Sequence, residues 1–175
     1  INHQQIKSSL AQLQPIPGRI QEIRVEKGPR IFIDYAHTPD AISNILEELK
    51  ALLPKSGNLI VIYGCGGNRD KAKRPLMTKA VAKFADLPIL TTDNPRFEDP
   101  NQIINDAVKG FSQNIPYKII VDREKAIKWT IDNSKKDDIV AILGKGHETY
   151  QEIKGQKYPF SDHKIVQEYL NEITD

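Results

Sequence analysis

Cysteine is nearly absent: Cys65 is the one thiol in 175 residues. It excludes an internal disulfide framework and a cysteine-based zinc site, and it fits a reducing cytoplasm. An excess of either charge is also missing. Lys plus Arg number 25 and Asp plus Glu 23, a formal net charge of +2. Phosphate neutralisation along a nucleic acid needs a clustered basic surplus, so no nucleic-acid partner is expected. No apolar run approaches the roughly 20 residues of a membrane-spanning helix, and no signal segment opens the chain. An initial methionine is lacking as well. The chain begins at Ile1, and the expectation is a processed or excised piece of a longer protein.

What is present is an ordinary globular composition, 39% apolar and 27% charged, enough for one α/β domain with a core. Residues 1–14 carry Ile6, Leu10 and Leu13 at helical spacing. Pro15, Pro17 and Gly18 then break the pattern. This reads as a tail or interdomain hinge, with the compact domain beginning near Ile20.

From there strands and helices alternate. Strands are predicted over 19–26, 30–35, 58–63, 87–91, 117–121 and 138–143. Helices are predicted over 39–53, 74–85, 100–113 and 123–133. Residues 149–160 alternate around Lys154-Gly155-Gln156 and read as a hairpin, and Ser161 caps a last helix. The central runs are apolar on both faces, as interior parallel strands are. The fold class is therefore α/β: a Rossmann-like, mostly parallel sheet with helices on both faces and a C-terminal β-hairpin.

The chemistry-bearing residues fall on loops that follow strands, which is where open α/β sheets bind ligands. Asp93-Asn94-Pro95-Arg96 combines an acid, an amide and a guanidinium, with Pro95 restricting the backbone. It reads either as a grip for a small zwitterion or as a β-turn with a solvated Arg. The run from Gly64 to Arg74 mixes glycines with Arg69, Lys71, Lys73 and Arg74. It reads as an anion cradle or as a tight strand-to-helix turn with a basic surface. Gly144-Lys145-Gly146-His147-Glu148 lacks the residues of a Walker A loop; it is a close backbone wall beside a carboxylate, or a sharp strand exit. Asp34 ends a strand and suits ribose hydroxyls or a turn. His37 alone is uninformative; His3, His147 and His163 have no metal-ligand spacing with any acid, and Cys65 has no histidine partner and reads as core.

Taken together, Asp34-Tyr35-Ala36-His37-Thr38-Pro39-Asp40, Gly64-Cys65-Gly66-Gly67-Asn68-Arg69-Asp70-Lys71-Ala72-Lys73-Arg74-Pro75, Asp93-Asn94-Pro95-Arg96 and Gly144-Lys145-Gly146-His147-Glu148 resemble the Mur ligases. Order and spacing agree from about Pro17 to the end. Asn68 and Phe97 depart from the usual pattern. The resemblance is to the branch that adds meso-2,6-diaminopimelate to UDP-N-acetylmuramoyl-L-alanyl-D-glutamate in peptidoglycan synthesis. It implies a three-domain, cytoplasmic, monomeric ATP-dependent amide ligase working through an acyl phosphate. Residues 17–175 would be its C-terminal domain, inactive alone, and residues 1–16 a linker at the end of its central domain. Its partners would be the small substrates and its own N-terminal and central domains. ATP and Mg²⁺ are implied as cofactors, with the metal ligands on the central domain and neither metal ligands nor certain catalytic residues here.

The same resemblance implies that Arg69, Asp93, Asn94, Pro95, Arg96, Gly144 and Glu148 bind meso-diaminopimelate, with Arg96 recognising its extra carboxylate. Arg19 and Asp34 would contact ATP. A lysine-adding or folate-type ligase domain, or a non-catalytic amino-acid or nucleotide-binding module, are the alternatives.

Overall fold

In a computed structural model, residues 2, 4, 5, 7, 16–26, 28–112 and 114–174 are described. The helix-like spacing of Ile6, Leu10 and Leu13 lies outside them. Strands β1 (Gln21–Arg24), β2 (Arg30–Asp34), β3 (Leu59–Cys65), β4 (Leu87–Thr92), β5 (Lys118–Ile119) and β6 (Ile139–Leu143) form one sheet in the order β1-β2-β6-β3-β4-β5. Only the β1–β2 pairing is antiparallel. Helices α1 (Pro39–Ala51), α2 (Lys73–Phe84), α3 (Pro100–Val108) and α4 (Arg123–Asn133) connect these strands. The hairpin β7 (Tyr150–Ile153) and β8 (Gln156–Pro159) and helix α5 (Asp162–Thr174) follow.

Strand period sorts the core. Odd positions Leu59, Val61, Tyr63, Ile139, Ala141 and Leu143 pack under α1, α2 and α3. Even positions Ile60, Ile62, Val140 and Ile142, with Ile31 and Ile33, pack under α4 and α5. Each central strand therefore needs apolar residues at every position, and β3 and β6 are buried throughout. The 3.6-residue period does the same for helices: Ile42, Ile45, Leu46 and Leu49 form the buried stripe of α1.

Local chemistry sets the helix starts. Thr38 accepts a hydrogen bond from the Ala41 N–H, with Pro39 at the first helical position. Asp99 and Asp122 cap α3 and α4 through the N–H groups of Asn101 and Lys125. Helix α3 stops at Val108, short of the predicted 113, and Gly110 just beyond it lies against the Pro75 carbonyl. A Cβ on Gly110 would sit 2.2 Å from that oxygen. Strand β5 is a two-residue exposed edge rather than the predicted five. The hairpin turns at Lys154 and Gly155, both at positive φ (50° and 76°), as a two-residue type I′ turn requires.

Candidate functional site

Strands β3 and β6 are neighbours, but the chain leaves them in opposite directions. It passes from β3 to α2 on one face, and from β6 through the hairpin to α5 on the other. Such a divergence opens a crevice at the carboxyl ends of the strands. Here it is a cavity of about 470 Å³. All four loops singled out in the sequence contribute to it: His37 and Thr38 after β2, Gly64 to Arg74 after β3, Asp93, Asn94 and Arg96 after β4, and Gly144 and Glu148 after β6.

The loop after β4 is held rigidly. Asp93 and Asn94 are buried. Arg96 takes a left-handed conformation (φ 52°), uncommon for a residue with a side chain. It is held there from both sides: its N–H donates to the Glu152 carbonyl at 3.0 Å and its carbonyl accepts from the Lys154 N–H at 2.6 Å. The docked hairpin thus fixes the loop as if it were a further strand partner. The Arg96 guanidinium is engaged too. Its Nη1 donates to the Gly67 carbonyl at 2.8 Å, and its Nε lies 3.3 Å from a Glu152 carboxylate oxygen. A turn with a freely solvated arginine is excluded.

The loop after β3 approaches β4 very closely. The Gly67 N–H donates to the Asn94 carbonyl at 2.9 Å. A Cβ on Gly67 would lie 1.9 Å from the Pro95 carbonyl, so only glycine fits. Pro95 does not line the cavity; it supplies this backbone contact. Asn68, one of the two departures from the family pattern, adopts φ 53°, a region asparagine tolerates. Its side-chain oxygen accepts from the Phe97 N–H at 3.0 Å. Phe97 itself is 72% exposed. Arg69 reaches the cavity with no hydrogen bond or ion pair among the described residues. Arg74 is not a surface cation: it is buried, with Nη2 on Glu98 at 2.8 Å and Nη1 on Asp106 at 3.0 Å. Burial alone would raise the Glu98 carboxyl, but hydrogen bonds from the Asn68 N–H and Arg74 hold it below its ordinary value.

The loop after β6 contains a residue that the sequence reading assigned no role. Lys145 is 0% exposed. Its Nζ lies 3.3 Å from Asp93 Oδ1, 3.0 Å from Asn94 Oδ1 and 3.2 Å from Glu148 Oε2. Asn94 Nδ2 also donates to Glu148 Oε2 at 2.9 Å. A lysine between two glycines, directly after a wholly apolar strand, was the available signal. Gly144 takes φ 112°, and a Cβ there would press on Asp93 Oδ2 at 3.1 Å. Behind this cluster Arg123 forms a fully buried two-point pair with Asp162, both contacts at 2.8 Å, joining the starts of α4 and α5. Cys65 lines the cavity, but burial pushes its thiol up to about 12, so it is no nucleophile at neutral pH.

Arg19 and Asp34 sit apart from the cavity, in a separate depression with Asn44 and Glu47. The Asp34 oxygens accept from the Ile20 and Ala36 N–H groups, each at 2.8 Å. Each keeps a second lone pair for a further donor. The Arg19 guanidinium lies 5.2 Å over the Tyr35 ring. Among the described residues, no group of three or more His, Cys, Asp or Glu is placed to hold a metal, and no helix is long and apolar enough to cross a membrane.

Comparison with known proteins places this geometry. Residues 18–146 match the family described as Mur ligase, glutamate ligase domain. The UDP-N-acetylmuramoyl-L-alanyl-D-glutamate--2,6-diaminopimelate ligase of Aquifex aeolicus (strain VF5) is 54% identical over 155 residues, covering 89% of this chain and 32% of the relative. Its counterpart in Rickettsia typhi (strain ATCC VR-144 / Wilmington) is 49% identical, covering 95% of this chain and 33% of the relative. A solved structure of a ligase with the same name superposes with a TM-score of 0.86 at 40% identity, over 100% of this chain and 36% of that one. A folylpolyglutamate synthase from Thermotoga maritima shares the fold, with a TM-score of 0.61 at 20% identity over 98% of this chain and 34% of that one. The chain spans about a third of the length of the curated relatives it matches.

Proposed function

The chain belongs to the Mur ligase family, and from that premise we propose that it is the amino-acid-delivering, C-terminal domain of a cytoplasmic ligase that joins meso-2,6-diaminopimelate to UDP-N-acetylmuramoyl-L-alanyl-D-glutamate. Residues 17–175 make up that domain and 1–16 lead in from the preceding one. The observation that carries the reading is the pairing of opposite charges around one small cavity. Arg69 and Arg96 line it together with Asp93 and Glu148.

Diaminopimelate ends in a carboxylate and an ammonium on the same carbon, and the cavity has groups that suit each of them. Arg69 is uncommitted and binds the carboxylate directly. Arg96 offers its remaining Nη2, its Nη1 and Nε being held by Gly67 and Glu152. The two guanidiniums together suit a planar anion better than lysines would. Glu148 Oε1, which has no partner among the described residues, and the Gly144 carbonyl take the ammonium. Asn94 fixes the Glu148 carboxylate in place. L-Lysine has the ammonium but no carboxylate at this end. It would leave Arg69 without that partner, forgoing a charge-assisted hydrogen bond worth about 1.5–3 kcal/mol.

ATP supplies the phosphoryl group that activates the acceptor's acid. The free lone pairs of Asp34 suit ribose hydroxyls and the Arg19 guanidinium suits phosphate, so these residues fit one wall of a nucleotide site. Mg²⁺ would be held by the central domain.

The deciding experiment is an amide-ligation assay of the full-length protein with ATP and the UDP-linked acceptor, comparing meso-diaminopimelate with L-lysine. Strong preference for meso-diaminopimelate is expected. Equal use of lysine, or use of neither, refutes the assignment.

A further inference from the structure

We propose that Lys145 is a positioning residue that sets the charge of the ammonium-binding corner. The inference rests on the reading above, and Lys145 is not among the residues that reading places against the substrate. The corner contains two carboxylates, Asp93 and Glu148, brought together from loops 52 residues or more apart by a single buried cation. Two like charges this close, only partly exposed to water, repel strongly. Without a cation between them the two loops would be pushed apart. The next cation, Arg123, has its charge balanced by Asp162, and its Nη2 also donates to the Leu143 carbonyl at 3.0 Å. Lys145 therefore balances one of the two acids and leaves the corner with one net negative charge. That is the charge that a single incoming ammonium neutralises.

Lys145 also decides which atoms remain available. Its Nζ engages Glu148 Oε2 and Asn94 Oδ1, while Asn94 Nδ2 closes the triangle on the same Oε2. The Glu152 N–H holds Asn94 Oδ1 from the hairpin at 2.9 Å. Glu148 Oε1 and Asp93 Oδ2 are the carboxylate oxygens of this corner left without a partner among the described residues. The flanking Gly144 and Gly146, at φ 112° and 52°, give the backbone the turn that sends a lysine inward just after a buried strand.

The test compares Lys145→Met with the double variant Lys145→Met/Asp93→Asn in the full-length ligase. Wild-type turnover of meso-diaminopimelate is measured first. Its absence refutes the proposed function itself, and the variants bear on Lys145 once wild-type turnover is seen. Lys145→Met is expected to raise the KM for meso-diaminopimelate about tenfold or more, the scale on which truncating one partner of a buried charge pair acts. The KM for ATP and kcat should move far less. Adding Asp93→Asn restores the corner to one net negative charge and should recover most of the lost KM. A Lys145→Met enzyme with an unchanged KM for meso-diaminopimelate overturns the proposal. So does a loss spread equally over kcat and both KM values, which marks a merely structural residue. Should Lys145→Met alone fail to fold, the rebalanced double variant carries the test. A KM close to wild type supports the proposal, and a KM raised about tenfold or a second failure to fold overturns it.

Discussion

Arg96 illustrates how much one side chain's partners matter. Its identity and its loop are plain in the sequence, but its contacts come from Gly67, 29 residues earlier, and from Glu152 on the hairpin. These contacts hold the guanidinium before any ligand arrives, so little conformational freedom is lost on binding. In the full-length ligase Arg96→Ala is expected to lower kcat/KM for meso-diaminopimelate about ten- to a hundredfold, the worth of a hydrogen bond to a charged group. The KM for ATP should stay in place, and steady-state kinetics in both substrates checks this. Glu98 works on stability instead. Its folded carboxyl lies below its ordinary value, against the pull of burial, because the Asn68 N–H and Arg74 bond its charged form. A depressed folded value stabilises the protein above the ordinary carboxylate range near about 4, and that stabilisation is lost as pH falls through the folded value. Asp106 adds the same sign, through hydrogen bonds from Lys109 and Arg74. Melting temperature should therefore fall steeply on acidification. In Glu98→Gln it should be lower at neutral pH and change less towards acid; parallel curves for the two proteins would exclude the mechanism.

Between elements, the tightest contact is that of the β3 and β4 loops. The sequence showed glycines at 66 and 67 but not what they face, because that depends on which strands are neighbours. Gly67 faces the Pro95 carbonyl. Gly67→Ala is expected to destabilise the chain by about 1–3 kcal/mol, the usual range for overpacking. Denaturant unfolding of the purified chain measures that. The same change should raise the KM for meso-diaminopimelate in the full-length ligase, since Arg96 loses its Gly67 carbonyl when the loops part. The hairpin was legible as a hairpin from alternation around Lys154-Gly155. Its role as a brace for the 93–96 loop was not, because backbone hydrogen bonds between distant segments leave no trace in residue type.

For the whole molecule, the chain is about a third of the length of its matched relatives and carries no Walker A pattern. The purified 175-residue chain is expected to release no phosphate from ATP, with or without meso-diaminopimelate. A phosphate-release assay checks this, and turnover would show that the chain is catalytically self-sufficient. By itself the sequence determined the α/β class, the strands and helices to within a few residues, and the gathering of four loops at one rim. Apolar periodicity and cap residues are local signals, and parallel strands send every following loop to the same edge. Only the tertiary structure decided that β6 enters between β2 and β3, which opens the crevice. It alone showed that Arg74 and Lys145 are buried ion-pair centres rather than surface cations, and that Arg96 is held by Gly67 and Glu152. The physical reason is the same in each case. A side chain's charge is written in its residue type, whereas its burial and its partners depend on which distant segments pack against it.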